Sequence, residues 1–118
     1  MSRLVSTGWA LSLFLVVAGS AGAGAAELTF DIRIEGGRVP DAMRLMRVHA
    51  GDSVMLRWTS DRPVTLHLHG YDIEKRVTAD GVARLSFTAY ATGRFPIEIH
   101  GAGAQEGAPL AIIEVYPR

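Results

Sequence analysis

The feature that most constrains this chain is strict two-residue alternation, repeated in short runs between turn signals. Residues 27–37 read "ELTFDIRIEGG", with Leu28, Phe30, Ile32 and Ile34 on one side and Thr29, Asp31 and Arg33 on the other. Successive side chains of a strand point to opposite faces, so this run is a half-buried strand closed by a Gly-Gly turn. The pattern recurs. Residues 44–63 give a strand, a turn at Ala50-Gly51-Asp52 and a second strand with Val54, Leu56 and Trp58 on one face. Residues 64–70, "VTLHLHG", put Val64, Leu66 and Leu68 opposite Thr65, His67 and His69. Leu85 and Phe87 share a face in 82–93. Phe95, Ile97 and Ile99 share one in 94–101, opposite Glu98 and His100. Ile113 and Val115 mark a last strand. Residues 74–81 read as a polar connection ending in a turn, and 102–109 as a loop. No segment holds a 3.6-residue period over three turns, so the expectation is an all-β sandwich.

The first 26 residues stand apart. Arg3 precedes the ten-residue apolar run "WALSLFLVVA" (9–18), and "AGAGAA" (21–26) has the A-x-A character of a cleavage site. This order predicts a secretory signal peptide over 1–26, cut after Ala25 or Ala26, and a domain over 27–118. A retained N-terminal anchor is the other reading, but ten apolar residues fall short of the ~20 a spanning helix needs. The expected location is periplasmic or secreted, with no membrane attachment after cleavage. An exported domain of this size often relies on disulfides. This chain has no cysteine, so packing must suffice. Twelve basic residues balance twelve acidic ones without a charge run, which gives no footprint for nucleic acid or an anionic membrane.

Two of the four histidines sit in "HLHG". Residues i and i+2 of a strand share a face, so His67 and His69 could reach one ion or could simply fill a wet strand face. His49 reads as a surface residue. Met43 and Met46 form M-x-x-M, which fits either a soft Cu(I) site or, for Met46, the core beside Val48. Asp72 and Glu74 follow the histidines and are placed to orient an imidazole or to be solvated. No Ser-His-Asp order, paired-carboxylate cleft or phosphate loop is present, so no enzyme is expected.

The ordered segments resemble the cupredoxin family over nearly all of 27–118. "RVHAGDSVMLRW" is similar to its V-x-x-G-D-x-V-x-L-x-W strand pair. "TLHLHGYDIE" resembles the element whose His-Gly-aromatic step supplies the first copper ligand. "ATGRFPIEIHG" followed by "APLAIIEV" resembles the closing strands around the ligand loop. The resemblance implies a Greek-key β-sandwich and matches His69 to the first histidine ligand. It also places Ile99 where the family has its cysteine and Pro109 near the axial methionine. His67-Leu68-His69-Gly70 further resembles the H-x-H-G motif of multicopper oxidases. A blue-copper centre requires a thiolate, so blue-copper electron transfer is excluded here. The cupredoxin strand order would bring Glu98 and His100 beside His67 and His69. That gives a metal site of His67, His69, His100 and Glu98, suited to copper and less to zinc. The expected function is exported copper handling, with a metal ion and a periplasmic protein as candidate partners. The alternative is a metal-free binding or structural module on the same fold.

Overall fold

The computed structural model describes residues 24–100 and 109–118. Residues 1–23 of the expected signal peptide and most of the 102–109 loop lie outside these residues. Among the described residues eight strands form: β1 (Glu27–Ile34), β2 (Leu45–His49), β3 (Ser53–Ser60), β4 (Val64–Leu68), β5 (Ile73–Val77), β6 (Ala83–Thr88), β7 (Gly93–His100) and β8 (Ala111–Tyr116). One 3-10 turn, Asp41–Met43, leads into β2. Among the described residues no helix is long and apolar enough to cross a membrane.

The strands make two sheets in the orders β1-β3-β6 and β2-β8-β7-β4-β5. β1–β3 and β2–β8 are parallel, and the other four pairings are antiparallel. This is the sandwich that the alternation requires, because each strand has one apolar face to bury. Trp58, Leu56, Leu66, Leu68, Leu85, Ile97 and Ile113 are fully buried between the sheets. Leu28, Phe30, Phe87, Phe95 and Ile99, expected in the core, pack against it while partly exposed. Met46 is core and Met43 covers its margin, as their places beside Val48 and the 3-10 turn require.

The polar connection expected at 74–81 is corrected. Ile73–Val77 pairs with β4 along its whole length and forms the edge of the larger sheet. Its sequence, "IEKRV", hides the strand because an edge tolerates charge on both faces and charge there blocks further pairing.

Pro96 governs where β4 ends. The Pro96 carbonyl accepts a bond from His69 N–H at 3.0 Å. In an extended strand the N and O of one residue face the same neighbour, so the position without an N–H also faces this end of β4. The ladder stops there and His69 turns out of the sheet.

A second fixed point lies at the other end of β3. Asp52 is only 1% exposed. Its carboxylate accepts from Ala26 N at 2.9 Å and His49 N at 2.8 Å, and it pairs with the Arg118 guanidinium. The backbone donors at Ala26 and His49, followed by the charge of Arg118, hold its carboxyl below the usual carboxylate range against the opposing effect of burial.

Candidate metal centre

The outward face of the larger sheet carries the histidines. Register places His67 opposite Glu98 of β7 on one side and Glu74 of β5 on the other. Thr65, the preceding outward residue of β4, lies opposite His100. His100 is therefore diagonal to His67, a separation that long side chains bridge. His69 follows the end of β4 and leans back over the same face.

The three rings gather. Ring centroids are 4.2 Å apart for His67–His69, 5.2 Å for His67–His100 and 6.4 Å for His69–His100. One nitrogen from each ring can be chosen so that all three lie within 4.8 Å of one another. His67 is the middle member, nearer to both partners than they are to each other. His49, on β2, is remote from this group and exposed, with its ring against Tyr116.

Carboxylates border the rings. His69 Nε2 lies 3.0 Å from Glu98 Oε2, and His67 Nε2 lies 3.5 Å from Asp72 Oδ1. Asp72 was among the acids that sequence placed near the histidines, and the turn delivers it. Glu74 is brought alongside only by β5, the strand that the sequence reading missed. His67 Nδ1 is buried and has no hydrogen-bond partner among the described residues. An imidazole whose Nε2–H faces a carboxylate keeps its lone pair on Nδ1, which is the tautomer that second-shell carboxylates impose on metal-binding histidines.

The turn after His69 is tightly specified. Gly70 has φ +84°, and a Cβ there would fall 2.3 Å from Cδ1 of Phe95. Asp72 also takes a positive φ, 54°, which aspartate tolerates better than most residues. Tyr71 OH donates to Ala91 O at 2.9 Å, and its ring packs on Phe87, Tyr90 and Phe95. Burial pushes the Tyr71 phenol up, so it stays a neutral donor. His69 is thus held between Pro96 on one side and a turn anchored on Phe95 on the other.

No family model matches this sequence, and no curated protein matches it either. Solved structures do. One chain of a heme-copper terminal oxidase dimer superposes with TM-score 0.63 at 14% identity, over 83% of this chain and 68% of that one. The multicopper oxidase mgLAC superposes with TM-score 0.62 at 20% identity, over 80% of this chain but 40% of its own. Auracyanin A, a "blue" copper protein from Chloroflexus aurantiacus, matches over 78% of this chain and 99% of its own, with TM-score 0.56 and 15% identity. The fold is that of the cupredoxins.

Within this cupredoxin sandwich, Ile99 is partly buried and packs against the core, as its inward place on β7 requires. Its outward neighbours, Glu98 and His100, are the residues that meet the β4 histidines. The polar donors of β7 therefore serve the outer face of the sheet. Residues 101–108, where the resemblance places the ligand loop, lie outside the described residues.

Proposed function

We propose that this protein is an exported cupredoxin-fold metal-binding protein that handles copper through His67, His69 and His100. The observation that carries this reading is the convergence of three imidazole nitrogens within 4.8 Å. Two nitrogens each ~2.0–2.1 Å from one ion lie at most ~4.2 Å apart, so small ring rotations close the set. The orphaned Nδ1 of His67 supports it, because a buried lone pair without a partner is costly unless something fills it.

Imidazole and carboxylate donors without sulfur suit Cu(II) first and Zn(II) second. Bound copper would supply a Lewis-acidic, redox-capable centre. The residues of this chain would hold it and limit its exchange. Glu98 has two roles open to it: closing the coordination sphere, or fixing the tautomer of His69 through Nε2. His100 is exposed, so one side of the site faces solvent. An ion held on an open sheet face can pass to a partner by ligand exchange, which fits storage, buffering or delivery in a periplasmic or extracellular setting. The missing cysteine removes the thiolate on which blue-copper electron transfer depends. The reading is a binding protein rather than an enzyme, with the imidazole–carboxylate pairs orienting ligands instead of moving protons.

A second reading also rests on a specific observation. Glu98 and Asp72 already give His69 and His67 charged partners without any ion. A metal-free module would use those pairs only to dress a strand face. Metal analysis of the purified protein, with competition among Cu(II), Cu(I) and Zn(II), separates the two. The metal reading expects stoichiometric Cu(II) uptake that Zn(II) competes weakly. Absence of uptake at micromolar copper would favour the metal-free module.

A further inference from the structure

The Asp52 cluster is built around one backbone nitrogen near the expected export site. Ala26 N donates to Asp52 Oδ1 at 2.9 Å, while Ala26 O accepts from Ser53 N at 2.9 Å. Arg118 meets the same carboxylate oxygen, and its Nε donates to Ala50 O at 3.0 Å. Residue 26 is thus clamped on both of its backbone groups before β1 begins. The sequence offers A-x-A at Ala23-Gly24-Ala25, whose cut leaves Ala26 first. A cut one residue later would discard the group that Asp52 holds.

We infer that export processing cuts between Ala25 and Ala26, and that the freed α-ammonium of Ala26 docks on the Asp52 carboxylate. The step is hydrolysis by an endopeptidase of the export machinery. Water adds across the amide: the Ala25 carbonyl carbon takes the hydroxyl and the Ala26 nitrogen takes the remaining proton, and the new carboxyl group then gives its own proton to the amine, leaving a carboxylate on Ala25 and an ammonium on Ala26. A neutral N–H donor to a buried carboxylate is replaced by a charged one at the same place, which adds an ion pair to a bond whose acceptor is already ionised. Cleavage gives up the 2.8 Å bond from Arg118 to Gly24 O and gains this ion pair, and on this inference the gain is the larger.

The charged and titratable groups around this nitrogen are the Asp52 carboxylate, the Arg118 guanidinium, the His49 ring at the end of β2 and the neighbouring Glu27. Arg118 shares Oδ1 and offsets part of the gain. The ammonium gains a partner on folding, so its folded pKa is raised. Its stabilising effect is present below the ~7.7–8.0 of a free α-amine and is lost as pH rises through the folded value.

The test starts with the full chain expressed with export. Mass spectrometry of the exported product should show Ala26 as its first residue. A first residue of Glu27, or retention of Met1 or Ser2, overturns the inference. The exported protein is then acetylated in denaturant and refolded; this also modifies Lys75, the single lysine, so the Asp52→Asn variant is treated in parallel. Acetylation should lower Tm by about 4–8 °C at pH 6 in wild type, with a much smaller shift in Asp52→Asn. An equal shift in both proteins overturns it. Should Asp52→Asn not fold, the Ala26 methyl resonance of unmodified protein, followed against pH, decides. A midpoint above ~8 supports the docked ammonium, and one at or below ~8 contradicts it.

Discussion

Asp52 and His67 are both polar groups set among strands, and their surroundings differ in one decisive respect. Asp52 is buried with both oxygens engaged, by Ala26, His49 and Arg118. His67 is half-buried, and one of its ring nitrogens has no partner among the described residues. Removing one partner of a satisfied buried charge is strongly destabilising, because the groups left behind lose their compensation. An unsatisfied nitrogen beside two further imidazoles offers a lone pair to something from outside. The comparison teaches that Asp52 belongs to the sandwich's own bonding, whereas the histidines keep donor capacity on its surface, as the proposed metal site requires.

The largest effect that sharpens this contrast is on stability. Asp52→Ala strips the acceptor from two backbone donors and Arg118, and should cost about 2–4 kcal/mol in denaturant unfolding, with Cu(II) affinity unchanged in the folded fraction. The lowered pKa of Asp52 has the matching sign. Its contribution is full above the ~3.9 of an unfolded carboxyl and is lost as pH falls through the lower folded value. Copper should leave earlier on acidification than the fold is lost, because protons compete for imidazole nitrogens. Metal release that tracks unfolding would break the contrast.

His67→Ala should show the opposite profile. Cu(II) affinity by calorimetric titration should fall at least ~100-fold, beyond the 10–100-fold typical of outer-shell changes. Stability should stay within about 1 kcal/mol. Gly70→Ala mixes the two classes. The positive φ and the Phe95 clash should cost about 1–3 kcal/mol and weaken copper binding by displacing His69. Glu98→Gln should give the smallest change, about 10-fold in Cu(II) affinity, because an amide keeps the shape but loses the charge at His69.

Much of this was legible in the sequence because it followed from period two. Alternation in "VTLHLHG" fixed which face of β4 carries Leu66 and Leu68 and which carries His67 and His69. The same rule placed Glu98 and His100 together on β7. Their meeting with the β4 histidines needed strand order, which the family resemblance supplied and the β4–β7 register bears out. Other features were hidden. β5 carries "IEKRV", whose charges mask an edge strand, so Glu74 was named as a neighbour of the histidines without the pairing that sets it opposite His67. Asp52 read as a turn acid, since its partners Ala26 and Arg118 are distant in sequence and nothing local signals their approach. The prominence of His67 was equally invisible, because ring packing depends on the turn at Gly70 rather than on spacing.

The central claim is that three imidazoles on this sheet face form one metal site. Cu(II) titration of the wild-type protein beside the His69→Ala/His100→Ala double variant tests it most directly, with the electron paramagnetic resonance spectrum recorded at each step. The account predicts one strong site with nitrogen and oxygen donors and no intense blue thiolate band, and its loss in the double variant while the fold persists. Equal Cu(II) affinity in the two proteins would contradict it.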